Sequence, residues 1–194
     1  MFFSGIELKA LGKFFALIFA LIPLGYISMA QYQKDRIEAF LHPDNLSLPG
    51  NYQVWQSKVA IGSGGFFGKG LFGGTQKSLD FIPVQTSDFF FAVLGEELGL
   101  LGGFFIIALY LVLLLRMMSI LKNAVDFYGA LIISGIIGMF VFQIFENIAM
   151  TMGLMPVTGI TLPFLSYGGS SIVSNMLAIA LVLNIAVRSK KINF

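Results

Sequence analysis

Residues 98–115 read LGLLGGFFIIALYLVLLL, a run without a charge that is closed by Arg116. A hydrocarbon core about 30 Å thick is crossed by roughly 20 apolar residues in a helix, so this run reads as a membrane span. Phe14 to Ala30 is a second such run, set between Lys13 and the polar Gln31-Tyr32-Gln33-Lys34, and Phe127 to Phe145 is a third, interrupted by Glu146. No charge appears from Asn147 to Val187, yet this stretch holds Pro156, Pro163 and Ser166-Tyr167-Gly168-Gly169-Ser170-Ser171. Proline lacks an amide donor, and together with glycine it should interrupt the helix, leaving a non-helical segment and a last span from about Ser171 to Val187. The reading is an all-α polytopic membrane protein with about four transmembrane helices. The first run is long for a signal peptide and no small-residue cleavage pattern follows it, so it is expected to be retained.

Composition agrees. Of 194 residues 57% are hydrophobic and 11% charged, with mean hydropathy +0.86; soluble domains carry about a quarter charged residues. A net charge of +2 from 12 basic and 10 acidic residues makes no phosphate-binding surface, which excludes nucleic acid as a partner. With no cysteine and His42 alone, thiolate and multi-histidine metal sites are excluded. No solenoid-length repeat is present, so residues 1–194 are expected to form one membrane domain. Lys9 and Lys13, then Arg116 and Lys122, then Arg188, Lys190 and Lys191 fall on one side of a four-span protein, which the positive-inside rule makes cytoplasmic. Residues 31–88, between the first and second spans, become a large extracytoplasmic segment, and the turn at residues 153–166 also faces outward.

That outer segment carries the chemistry. Gln31 to Phe40 reads as a short helix, His42-Pro43-Asp44-Asn45 as a turn, and Tyr52 to Lys58 as an interfacial mix of aromatics and amides. Seven of residues 62–74 are glycine, which would let backbone N–H groups approach an anion closely; a flexible loop along the membrane interface is the plainer reading. It is not a Walker A loop, because Ser63 stands at the first glycine position and Gly70 follows Lys69. Ser87 or Asp88 is expected to cap a helix starting at Phe89. The spacing Asp88, Ala92, Glu96 would align two carboxylates on one helical face. Glu96 and Glu97 read either as interfacial acids or as functional carboxylates, since such groups beside hydrocarbon are costly. Glu146, with Gln143 and Asn147, reads equally as a buried polar contact or as a substrate-channel or proton-relay acid.

Taken together, several motifs resemble the SEDS family (shape, elongation, division and sporulation; its RodA, FtsW and SpoVE branches). They are Ala60-Ile61-Gly62-Ser63-Gly64-Gly65, Gly68-Lys69-Gly70, Gly74-Thr75-Gln76, Ser87-Asp88-Phe89, Gly95-Glu96-Glu97-Leu98-Gly99, Gln143, Asn147, and Pro156-Val157-Thr158-Gly159-Ile160 running to Leu162-Pro163-Phe164-Leu165-Ser166-Tyr167-Gly168-Gly169-Ser170-Ser171. They follow the family order from about Gln53 to Ser171. Gly68-Lys69-Gly70 with Gly74-Thr75-Gln76 is more similar to the RodA branch than to the FtsW branch. Two departures stand out: Pro83-Val84 and Thr86-Ser87-Asp88-Phe89 replace a Pro-Glu and a His-Thr-Asp-Phe common in the family, and the chain matches only the C-terminal half of proteins about twice its length.

The resemblance implies part of a larger SEDS-type helical bundle, completed by an N-terminal half. It implies a peptidoglycan glycosyltransferase of the cytoplasmic (inner) membrane with its active face outside, polymerising lipid II for cell-wall elongation and shape beside a class B penicillin-binding protein. The family's essential aspartate matches Asp88, expected to act as general base on the acceptor hydroxyl. A diphosphate leaves well without protonation, so one base suffices, and the charge it develops calls for Lys69, Lys77, backbone N–H groups or a divalent cation such as magnesium. Glu96, Glu97, Ser166 and Ser170 are weaker substrate-binding candidates; no organic cofactor is evident. Rival readings are a flippase or transporter for a lipid-linked precursor, favoured by the broken helix near Pro156 to Ser171, and a non-catalytic scaffold of the cell-wall machinery.

Overall fold

The structure is a computed structural model that describes residues 12–13, 16, 19–21, 23, 25, 27–71, 73 and 87–189. Its ordered elements are α1 (Gln31–Leu41), α2 (Asn51–Gly64), α3 (Phe90–Lys122), α4 (Phe127–Thr151) and α5 (Gly169–Ser189), and the described residues contain no strand. Three of these, α3, α4 and α5, are long and apolar enough to cross a membrane. The span expected over Phe14–Ala30 falls partly outside the described residues; those described between 12 and 28 are helical.

α1 starts where the Gln33 side chain accepts a hydrogen bond from the Ala30 amide (3.1 Å). It ends one residue before His42, because the ring of Pro43 pushes the preceding residue out of the helical region. Asn51, at the head of α2, donates to the carbonyls of His42 and Asn45 (2.9 and 3.0 Å) and so closes the connection between the two short helices. α2 lies against α3, and the buried Ser57 hydroxyl ties it to the end of α4 by donating to the Thr151 carbonyl (2.8 Å).

α3 is longer than expected and broken. Its 33 residues would reach roughly 50 Å at 1.5 Å per residue, well beyond a bilayer core. Gly99, with φ 66° and ψ −163°, interrupts the helix, and the stretch from Leu100 to Lys122, roughly 34 Å long, matches a membrane span. The break would orphan the carbonyls of Glu96 and Glu97 and the amides of Leu100 and Leu101, and the loop after α2 supplies partners for all of them. Lys69 and Gly70 amides donate to the Glu96 and Glu97 carbonyls (both 3.0 Å), while Leu100 and Leu101 amides donate to the Gly65 and Phe66 carbonyls (2.9 and 3.2 Å). This approach needs bare backbone: a Cβ on Gly68 would lie 2.2 Å from the Glu97 oxygen, and one on Gly99 would lie 2.3 Å from the Gly68 nitrogen.

α3, α4 and α5 share a core. On α4 the buried Ile133, Ile137, Phe140 and Ile144 repeat at helical spacing and meet Tyr110, Met117 and Leu121 of α3 and Ala178 and Val182 of α5. Phe104, Phe105, Leu111 and Val112 stay exposed, as befits surface facing lipid. Between α4 and α5 the chain is non-helical through the Pro156 to Gly168 stretch. The structure packs this segment on this chain's own helices. Leu162 is fully buried, Phe164 stacks on Phe140 at 5.8 Å, and the Tyr110 hydroxyl donates to the Pro163 carbonyl (2.6 Å).

Two glycines of α2 test the docking. A Cβ on Gly64 would fall 2.0 Å from the Gly95 carbonyl oxygen, whereas Gly62 faces open space. Gly62→Ala should therefore leave thermal unfolding in detergent unchanged or raise its midpoint, by about 0.5–1 kcal/mol of helix preference. Gly64→Ala should lower the midpoint, and equal midpoints for the two variants would contradict the close approach.

Candidate functional site

Asp88 sits just ahead of α3, where the chain returns to the bundle. The expected helix cap is not formed: the helix begins at Phe90, Phe89 occupies the cap position, and no side chain caps it. Because Asp88 lies outside the helix, the expected alignment of Asp88 and Glu96 on one helical face does not hold either. The aspartate is held from the other side, by α4. The Asn147 side chain is fully buried and donates both amide hydrogens, one to the Asp88 carbonyl (2.9 Å) and one to the Ile160 carbonyl (2.7 Å). Asp88 is thereby joined to the irregular 156–160 segment, and its carboxylate lies beside Gly159, where a Cβ would come within 3.4 Å of Oδ2.

Glu146, one residue before Asn147, completes the group. It is 1% exposed and accepts a hydrogen bond from the Thr158 hydroxyl. Its second oxygen, the Gln143 Oε1 and the Asn147 Oδ1 are buried with no hydrogen-bond partner among the described residues. Residues 143, 146 and 147 share one face of α4, so these acceptor oxygens are gathered on the face of α4 that holds Asp88 through Asn147. From the side of α1, Arg36 donates to the Val157 carbonyl (2.6 Å), fastening the same segment. A polar amide within an apolar helix is a visible sequence signal, but nothing in the sequence tells which carbonyls Asn147 meets or that Arg36 reaches across to Val157.

The other expected site residues separate from Asp88. Glu96, about two turns into α3, is 1% exposed and pairs with Lys69 at 2.7 Å. This pair reinforces the loop docked at the Gly99 break, so Lys69 is engaged with a carboxylate. Likewise, the Lys69 and Gly70 amides are spent on carbonyls and are not open to an anion. Glu97 is buried beside the same break. Ser166 is buried, and its hydroxyl accepts from the Leu162 amide (2.9 Å), a local turn closure. Ser170 is exposed in the first turn of α5. Lys77 lies outside the described residues.

The three apolar helices and the polar group at one end of them define a multi-pass membrane protein with a recessed acidic site. The family model of the FtsW, RodA and SpoVE cell cycle proteins matches residues 1–191, and the chain belongs to that family. It is 45% identical over 165 residues to peptidoglycan glycosyltransferase RodA of Treponema pallidum (strain Nichols), covering 85% of this chain and 38% of that protein. It is 39% identical over 194 residues to peptidoglycan glycosyltransferase MrdB of Escherichia coli (strain K12), covering all of this chain and 52% of that one. Stage V sporulation protein E of Bacillus subtilis (strain 168) is 43% identical over 167 residues, 86% of this chain and 45% of that protein. The chain thus spans about half the length of the curated relatives it matches. Among solved structures, a chain from a peptidoglycan synthase complex, determined for the structural coordination of polymerization and crosslinking, is similar with TM-score 0.79 and 29% identity over 98% of this chain and 52% of that one. The Rod shape determining protein RodA of Thermus thermophilus, crystallised as an aspartate-to-alanine mutant, gives TM-score 0.54 and 34% identity over 63% of this chain and 38% of that one.

The Lys69–Glu96 pair has a measurable consequence. Removing one partner of a buried pair costs roughly 3–5 kcal/mol; with 29% of the Lys69 side chain exposed, Lys69→Met should cost about 2 kcal/mol. The double change Lys69→Met with Glu96→Leu should recover at least half of that in detergent unfolding, because no carboxylate is then left buried without its cation.

Proposed function

We propose that this chain carries the catalytic aspartate of a peptidoglycan glycosyltransferase that extends glycan strands from lipid II. The observation that carries the reading is the placement of Asp88: half-buried, anchored through its own carbonyl by Asn147, with its carboxylate beside Gly159. Anchoring its backbone fixes where Asp88 sits, and a positioned carboxylate is what proton abstraction in a transition state needs. The names of the relatives, glycosyltransferases RodA and MrdB, supply the reaction class.

In this reading the acceptor sugar hydroxyl attacks the anomeric carbon of the lipid-linked donor. Asp88 takes the hydroxyl proton, a glycosidic C–O bond forms, the C–O bond to the lipid diphosphate breaks, and the diphosphate leaves with the electron pair. Lys69 is a poorer candidate for the leaving group than sequence reading suggests, being paired with Glu96. Among the described residues no three acidic, histidine or cysteine side chains converge; a magnesium ion near the site would have the carboxylates of Asp88 and Glu146 to draw on. Such an ion would neutralise charge on the diphosphate. A class B penicillin-binding protein is the proposed partner; the similar chain belongs to a complex that joins polymerization to crosslinking. We place the site on the extracytoplasmic face of the cytoplasmic membrane, in keeping with the basic residues gathered at the opposite ends of the spans.

Asp88→Asn should preserve the fold and lower polymerisation of purified lipid II by roughly 10²–10⁴-fold, the range of a lost general base; polymer at the unaltered rate would rule the base out. For topology, the natural sequence has no cysteine and Ser47 is exposed. Ser47→Cys should react with a membrane-impermeant maleimide in intact cells or spheroplasts, and Asn123→Cys, between α3 and α4, only after lysis. The reverse pattern would invert the proteins' proposed orientation.

A further inference from the structure

A cavity of about 320 Å³ lies apart from the Asp88 cluster, between α1, α2 and residues 153–157. That is the small end of the range for ligand pockets, roughly 300–1,000 Å³. Tyr32 and Phe40 contribute aromatic surface to its wall, and Asp35, Gln53, Lys58 and Arg36 contribute polar groups. Several of those groups have unspent capacity. The Tyr32 hydroxyl, the Gln53 amide and the Lys58 ammonium make no hydrogen bond among the described residues, and Asp35 uses one oxygen, to accept from Gln31 (2.9 Å). The end of the Lys58 side chain lies against Gly153, where a Cβ would be 2.5 Å from Nζ, which keeps the ammonium at the cavity.

These groups suit a polyhydroxylated ring better than an inorganic anion. Aromatic surface packs on the apolar face of a sugar, a carboxylate accepts from hydroxyls, and an amide both donates and accepts. Asp35 offsets one of the two cations, Arg36 and Lys58, and Arg36 already donates to the Val157 carbonyl, so the lining carries a single net positive charge against the multiple negative charges of a diphosphate. One ammonium is enough for the carboxylate of a peptide substituent. The cavity is linked to the Asp88 cluster along the chain: Val157 lines it, and Gly159, two residues on, lies beside the Asp88 carboxylate. Two residues of extended chain reach at most about 7 Å, the scale of one sugar ring and its linkage.

We propose that this cavity is a saccharide subsite, holding one peptide-bearing amino sugar of the glycan a unit away from the bond formed at Asp88. The assignment rests on the glycosyl-transfer reading for its biological ligand, while its binding chemistry can be tested separately. Arg36 fixes the wall shared by subsite and reaction centre, so a sugar seated in the cavity is held in register with the aspartate.

The test uses the purified protein in its native membrane assembly and a soluble, lipid-free disaccharide–pentapeptide as probe, observed by saturation-transfer NMR. Ring protons of the probe should receive saturation from the unaltered protein and from Asp88→Asn. The signal should fall at least fivefold for Lys58→Met with Gln53→Leu, and also for Tyr32→Ala, which alters an exposed side chain. In polymerisation assays the same subsite variants should yield strands at least fivefold shorter, since a strand held at fewer points dissociates sooner. Absence of transfer to the unaltered protein, or equal transfer to the subsite variants, would overturn the proposal. Probe binding without any polymerisation by the unaltered assembly would instead overturn the glycosyltransferase reading and leave the subsite standing.

Discussion

The exchange of backbone hydrogen bonds at the Gly99 break is the contact on which the rest of the molecule depends. A helix interrupted near a membrane leaves amides and carbonyls that hydrocarbon cannot satisfy, each at a cost of several kcal/mol. The loop following α2 enters that gap and closes the account: two of its amides take the carbonyls of Glu96 and Glu97, and two of its carbonyls take the amides of Leu100 and Leu101. Glycine at 64, 68 and 99 is required because backbone meets backbone with no room for a Cβ. The Lys69–Glu96 pair then adds a charge-assisted bond on a carboxylate that is otherwise buried. In consequence α2 is fixed against α3, and the polar segment that α2 belongs to is fixed over the membrane helices.

A second set of ties determines the Asp88 cluster. α4 presents Glu146 and Asn147 near its end; Asn147 joins Asp88 to Ile160, and Glu146 takes the Thr158 hydroxyl. Arg36 holds the adjoining Val157 carbonyl. The proline-containing segment is therefore gripped by α1 and α4 and lies beside Asp88, with its Val157 and Ile160 carbonyls taken by the Arg36 and Asn147 side chains. Irregular backbone at this depth is tolerated where protein buries it or a cavity meets it. Here Leu162, Phe164 and Ser166 are packed by the chain itself, while Pro156 and Val157 border a cavity. A broken helix by itself suits a transporter as well as an enzyme, and it is the anchored aspartate beside the break that favours chemistry.

Family membership bears on both sets of ties. The chain matches about half of its relatives' length, and its likeness to a chain of a peptidoglycan synthase complex extends over 98% of the residues. The Asp88 cluster and its backbone supports lie wholly within this portion, so their geometry is a property of the residues present. Lipid-facing surfaces of α3 and α5 remain broad and apolar, consistent with a bundle whose helices associate through packing rather than through polar bonds.

Helix content, the membrane class and the interruption after residue 152 were legible in the sequence because each is a local signal: runs of uncharged residues, and prolines and glycines that end them. The motif order that marks the family was legible for the same reason. Partnerships across the chain were not. Periodicity places Asp88 as a helix cap and in line with Glu96; in the fold it precedes the helix and is bound by a residue 59 positions later. In sequence the glycine loop is open to an anion-cradle reading beside the plainer one of a flexible interfacial loop, and Lys69 to a phosphate-side role, whereas in the fold the Lys69 and Gly70 amides and the Lys69 ammonium are engaged by Glu96 and Glu97, 27 positions away. Arg36 looks like a surface cation until folding sets it against Val157, 121 positions on. Sequence determines which groups need partners, because burial and hydrogen-bonding capacity belong to residue types; only tertiary structure decides which partner each one gets, because that depends on where the break in α3 lets the backbone of another segment enter.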